Sequence, residues 1–185
     1  DPFDFEAYEA NPMEFIMVCT DVETGKPVYH KFENYADHQF DWVRASASMP
    51  LVSQIVEIDG QKLLDGGIAD AIPLQYFENR GYTHNVVILT QHAEYDKKES
   101  AAMPFIRFLY RKYPALIQAM EVRHLMYNAQ RDYVSRQEAA GKALVIRPTE
   151  PLPIKRLTKD PALLRATYNI GRATAEKRLA EIKRY

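Results

Sequence analysis

Residues Gln54 to Leu64 read as two short strand-like runs, Gln54 to Ile58 and Gln61 to Leu64, joined by the dipeptide Asp59-Gly60. Both turn residues tolerate positive φ, so this spacing predicts a tight antiparallel hairpin. The second run leads directly into Asp65-Gly66-Gly67, a carboxylate at a strand end followed by two residues without side chains. That is the edge at which open α/β sheets place ligands. A carboxylate held there and partly desolvated can act as a general base. The same tripeptide also suits an ordinary surface turn.

The flanking sequence alternates strands and helices. Phe15 to Thr20 (FIMVCT) has the composition of a short strand, and Pro27 to Phe32 follows it after a Thr24-Gly25 turn. Asp41 to Ala47 reads as a short helix ending before Pro50. Pro73 to Arg80 reads as another, with Pro73 in its first turn and Gly81 as its stop. Val86 to Thr90 (VVILT) is continuously apolar, like a buried parallel strand. Beyond it the pattern is mostly helical. Ser100 is placed to cap a helix through FIRFLYRKY, and Pro114 restarts one with a stripe of Leu116, Ala119, Val122, Met126, Ala129 and Tyr133. Gly141 ends that helix, and Leu144 to Ile146 forms a last strand. Asp160 then caps a final helix with Pro161 at its first position. Its apolar face is Leu164, Tyr168, Gly171, Ala175, Leu179 and Ile182. The expected fold class is α/β, with a mainly parallel sheet, one β-hairpin and a helical C-terminal half.

Composition narrows the function classes. At 185 residues, residues 1–185 are expected to form a single domain. Hydrophobic content of 46% with 26% charge is that of a globular chain. No apolar run approaches the roughly 20 residues of a membrane-spanning helix. The acidic start, DPFDFEAYEANP, is unlike a secretory signal. Cys19 is the only cysteine, which fits a reducing, cytoplasmic setting. The last thirty residues are rich in Lys and Arg, which reads most simply as a solvated helix face. No nucleic-acid partner is expected.

Taken in order, several stretches resemble the patatin-like phospholipases. These are Arg44-Ala45-Ser46-Ala47-Ser48-Met49-Pro50, the hairpin with Asp-Gly at its tip, and Leu64-Asp65-Gly66-Gly67-Ile68-Ala69-Asp70 followed by Pro73. The lead-in FIMVCTDVETGKPVYHKF is similar to the family's strand, Thr-Asp turn and strand. The likeness covers most of Phe15 to Thr90 and continues more loosely into the helices, in the manner of a bacterial-type branch. It implies a partial three-layer domain in which Asp65 pairs with a serine on a Gly-x-Ser-x-Gly elbow. That would be a Ser-Asp dyad acting on acyl esters of phospholipids or related lipids, without a cofactor. The seven glycines of this chain build neither the elbow nor a Gly-rich oxyanion loop. The resemblance therefore implies the C-terminal portion of such a domain, inactive alone. A sheet cut short exposes an edge or an apolar face, so a homo-oligomer is one expected consequence.

Other readings use other residues. Ser46 and Ser48 lack the glycines of a strained elbow and read as small helix-end residues, and Ser53 has no better claim. His30, His38, His84, His92 and His124 show no metal-type spacing, and no metal is expected. The strand ending in Asp21-Val22-Glu23-Thr24 is similar to the opening of haloacid-dehalogenase-type magnesium phosphatases. However, Glu23 stands where that family has its second Asp, and no later strand ends in paired acids. A third reading is non-catalytic. The helix FIRFLYRKYP interleaves Phe105, Ile106, Phe108, Leu109 and Tyr110 with Arg107, Arg111 and Lys112, and could make peripheral contact with a membrane. Its aromatic stripe favours burial in the core.

Overall fold

The computed structural model describes residues 4–33, 39–155 and 157–185, so His38 lies outside the described residues. Two compact units are present: Asp1–Ile72 with Lys98–Tyr127, and Pro73–Lys97 with Asn128–Tyr185.

The first unit is built on a four-stranded sheet. After a short helix α1 (Phe5–Glu9) come β1 (Phe15–Asp21), β2 (Pro27–Phe32), α2 (Gln39–Ser46), β3 (Val56–Ile58) and β4 (Gln61–Asp65). The strand order is β2-β1-β4-β3, and all three pairings are antiparallel. The mainly parallel sheet expected from the sequence is therefore corrected. The physical reason is connection length: β1–β2 and β3–β4 are joined by tight turns, and only a long crossover returns a chain parallel to itself. Asp59 (φ 49°) and Gly60 (φ 78°) form the hairpin turn, both left-handed as a two-residue turn requires.

Side-chain alternation along the strands gives the sheet a core on each face. Leu63 joins Met17, Cys19, Phe32, Val56 and Ile58 under Trp42 and Ala45 of α2. Its neighbour Leu64 points the other way. There it packs with Val22 and Ile68 against α4 (Met103–Leu109), Tyr110, and Leu116 and Met120 of α5 (Pro114–Ala139). Leu63 and Leu64 are fully buried, each contributing about 1.5–3 kcal/mol by leaving water.

The second unit holds α3 (Leu74–Asn79), β5 (Asn85–Ile88), the end of α5, β6 (Ala143–Ile146) and α6 (Pro161–Ile182). Strands β5 and β6 pair in parallel. All four residues of β6 are buried, but Val86 and Ile88 of β5 are 45% and 74% exposed. The fully buried strand expected over Val86 to Thr90 is thus corrected. An apolar run is buried only when both faces are covered, and in this strand alternate residues face outward.

Three helical expectations change as well. In α5 the buried positions are Leu116, Met120 and Val134, whereas Val122 and Ala129 of the expected stripe are exposed. This helix supplies residues to both units, so no single face serves its whole length. Helix α6 starts as expected, with the Asp160 carboxylate accepting from Ala162 and Leu163 N–H, yet none of its residues is buried. Ala102, not Ser100, occupies the cap position of α4; the Ser100 hydroxyl accepts the Ala102 N–H at 3.3 Å.

Candidate active site at the Asp65 corner

Strand β4 brings Asp65 to the end of the sheet, where it pairs with Cys19 of β1. Three hydrogen bonds fix the residue. Its N–H donates to the Ser48 carbonyl at 2.9 Å. Its carbonyl accepts the Thr20 hydroxyl at 2.9 Å. Its carboxylate Oδ1 accepts the Gly67 N–H at 2.7 Å. The carboxylate is half-buried, and among the described residues Gly67 is its one hydrogen-bond donor. The other oxygen, Oδ2, meets no donor among the described residues.

The two glycines have different work. Gly66 lies so close to β1 that a Cβ there would sit 2.2 Å from the Val18 carbonyl oxygen. Gly67 is the middle residue of the helical turn Gly66–Ile68 and supplies the N–H that orients Asp65. Its own carbonyl accepts Nε of Arg123, on α5, at 2.7 Å. The guanidinium thus holds the peptide whose other end holds the carboxylate. Replacing Arg123 by Met, which keeps much of the stem, is expected to cost about 1–3 kcal/mol through loss of a charge-assisted bond. Equilibrium unfolding in urea measures it.

The R-A-S-A-S stretch meets this corner in space. Besides the bond from Asp65 to Ser48, the Ser46 hydroxyl donates to the Val18 carbonyl at 2.7 Å, the carbonyl that Gly66 approaches. The Ser48 hydroxyl donates to the Arg44 carbonyl at 2.8 Å, and Ser48 is buried. Both hydroxyl protons are committed to backbone. Ser53 sits in the turn closed by its N–H to the Met49 carbonyl.

Cys19 faces the same environment. Burial, and then the Asp65 charge, push its thiol from 9.0 up to about 12. Its folded pKa lies above its unfolded one, so the native state holds the proton more tightly. The associated stability is complete below about pH 9.0 and is lost as pH rises towards 12. Urea titrations across that range should show the decline, and a thiol reagent should label Cys19 only after unfolding.

The remaining candidates lie elsewhere. Asp21 Oδ1 accepts the N–H groups of Glu23 and Thr24 at 2.9 and 2.7 Å, closing a turn. Glu23 pairs with Lys62 at 2.8 Å. His30 stacks on Trp42 with ring centroids 3.9 Å apart. His84 bonds Thr83 and meets the Tyr185 ring, and His92 meets the Tyr95 ring. Nδ1 of His124 is buried without a partner among the described residues. No group of three potential metal ligands occurs among them either. An open groove of about 550 Å³ is lined by Tyr8, Glu9, Met13, Lys31 and Phe32 and does not include Asp65.

Thr20, Arg123 and the pair Tyr29–Asp70 are additions to the sequence-derived set. Thr20 also accepts the Ala69 N–H at 3.2 Å, bracing the turn from β1. Its signal was a lone hydroxyl at the end of an apolar run. Tyr29 donates to the Asp70 carboxylate across the sheet, and Arg123 is 56 residues from Gly67. Nothing local in the sequence announces either contact.

Comparison with known families now bears on this corner. Residues 9–78, from α1 through the Asp65 turn to α3, match the family model of the patatin-like phospholipases. The likeness is confined to this span. The Arg44–Pro50 stretch and the Asp65-Gly66-Gly67 corner both fall inside the matched residues. Residues 113–185, which hold α5, β6 and α6, match a second family model, described as a domain of unknown function, DUF6363. No curated protein matches the chain.

Proposed function

We propose that this chain supplies the general base of a lipid acyl hydrolase that works through a Ser-Asp dyad. Asp65 is that base, and the nucleophilic serine and oxyanion donors come from residues outside 1–185. The observation that carries the reading is the fixed carboxylate: Oδ1 is held by Gly67 N–H while Oδ2 meets no donor among the described residues. A base must be oriented by one contact and open at another to take a proton in the transition state.

In the complete enzyme the serine oxygen attacks the ester carbonyl carbon as Asp65 takes the hydroxyl proton. The tetrahedral intermediate collapses, the C–O bond to the glycerol oxygen breaks, and that oxygen leaves with the proton. Water then attacks the acyl-enzyme, again giving up a proton to Asp65, and the fatty acid departs as the serine recovers its proton. Alone, the chain is inactive in this reading, because Ser46 and Ser48 have no elbow geometry and their hydroxyls are engaged. The sheet, with α2 on one face and α4 and α5 on the other, would be this chain's share of a three-layer domain. A cytoplasmic location belongs to the same reading, since buried Cys19 suits a reducing setting.

A fluorophosphonate probe tests the proposal. It should label a longer protein that carries a serine elbow ahead of this sequence and leave residues 1–185 unmarked. Labelling of Ser46 or Ser48 would overturn it.

A further inference from the structure

Helix α4 is apolar on nearly every side. Its seven residues, MPFIRFL, include one polar side chain, Arg107. A helix of that composition normally lies inside a core. Here one face does so, through Met103 and Ile106, with buried Tyr110 just past the helix end. The opposite face carries Phe105, Phe108 and Leu109, which are 57%, 67% and 50% exposed. At helical spacing those three fall within an arc of about 100°.

A second element meets the end of α4. The Tyr110 hydroxyl accepts the Leu51 N–H at 3.2 Å, tying the turn after α2 to the end of α4. Leu51 and Val52 in that turn are exposed. Leu51 also holds a φ of 69°, a left-handed conformation that side-chain-bearing residues rarely adopt.

The charge carried by this stretch of chain has one sign. Between Met103 and Tyr113 stand Arg107, Arg111 and Lys112 with no acid among them. The Arg111 guanidinium lies 5.4 Å from the centre of the Phe108 ring, and Arg107 pairs with Glu121 of α5 at 2.7 Å. Arg111 and Lys112 therefore present positive charge beside the aromatic face.

We infer that this surface docks on an anionic lipid bilayer, with Phe105 and Phe108 entering the acyl boundary and Arg111 and Lys112 meeting phosphate groups. Aromatic rings flanked by cations match that interface in both polarity and charge. The inference deepens the lipid-hydrolase reading, and rests on it, only in naming how the domain meets its substrate.

Co-sedimentation of the whole chain with phosphatidylcholine vesicles, with and without phosphatidylserine, tests it without any need for turnover. Binding should require phosphatidylserine and weaken as salt rises. Phe105→Ser combined with Phe108→Ser should lower affinity about tenfold or more. Arg111→Gln with Lys112→Gln should lower it about fivefold per charge removed. Circular dichroism should be unchanged in both. Leu164→Ser with Tyr168→Ser, at exposed positions of α6, should bind like the wild type. The inference is overturned if phosphatidylserine vesicles are not bound, or if the α6 pair causes the same loss. It is likewise overturned if sedimentation shows Phe105 and Phe108 joining two copies of the chain. Any of these outcomes would leave the role of Asp65 standing, and loss of that role would leave vesicle binding intact.

Discussion

Gly66→Ala should lower the stability of this chain by about 3 kcal/mol. The new Cβ would lie 2.2 Å from the Val18 carbonyl oxygen and 2.5 Å from its carbon. Those are backbone atoms of the second strand in the sheet order β2-β1-β4-β3, paired on both sides. The same carbonyl also takes the Ser46 hydroxyl. Relief requires β4 and its turn to move away from β1, which strains the pairing of Cys19 with Asp65 and displaces the Asp65 carboxylate. For a chain of this length the melting temperature should fall by about 6–12 °C. Gly67→Ala is the internal control. Its Cβ would meet a side-chain atom, Asp65 Oδ1, at 3.0 Å, so the neighbour can give a little and the loss should be smaller. A Gly66→Ala protein within about 0.5 kcal/mol of wild type would contradict the close approach.

Much of this corner was legible in the sequence because its signals are local. Asp59-Gly60 announces the hairpin, since few residue pairs accept two left-handed conformations in succession. Strand β2 begins and ends at Pro27 and Phe32, as its alternation indicates. Asp160-Pro161 marks the start of α6, because the side-chain cap and the missing N–H both belong to a first turn. The run read as a parallel strand, Val86 to Thr90, does pair in parallel through β5 and β6, but the larger sheet does not follow it, and β1 pairs antiparallel on both sides. The exposure of Phe105, Phe108, Val86 and Ile88 was equally hidden, because an apolar side chain does not say what will cover it. Within the candidate site, Asp65, Gly66 and Gly67 form a readable tripeptide. Thr20 and Arg123 reach it through the fold, and sequence spacing carries no trace of that.

The second large effect concerns the acid. Asn at position 65 has nearly the shape of Asp, and its carbonyl oxygen can still accept the Gly67 N–H that now meets Oδ1. The backbone bonds to Ser48 and Thr20 do not involve the side chain. The fold should therefore survive the substitution, while the capacity to accept a proton is lost. Removal of a positioned general base typically costs about 10²–10⁴ in rate, and the loss should fall on turnover more than on substrate binding.

The most direct measurement is the rate of phospholipid ester hydrolysis by a longer protein that carries a serine elbow ahead of this sequence, before and after Asp65→Asn, with unfolding curves recorded for both. The expected result is a loss of about 10²–10⁴-fold in kcat with the two unfolding curves superimposed. Hydrolysis at the wild-type rate in a folded Asp65→Asn protein would contradict the assignment of Asp65 as the base.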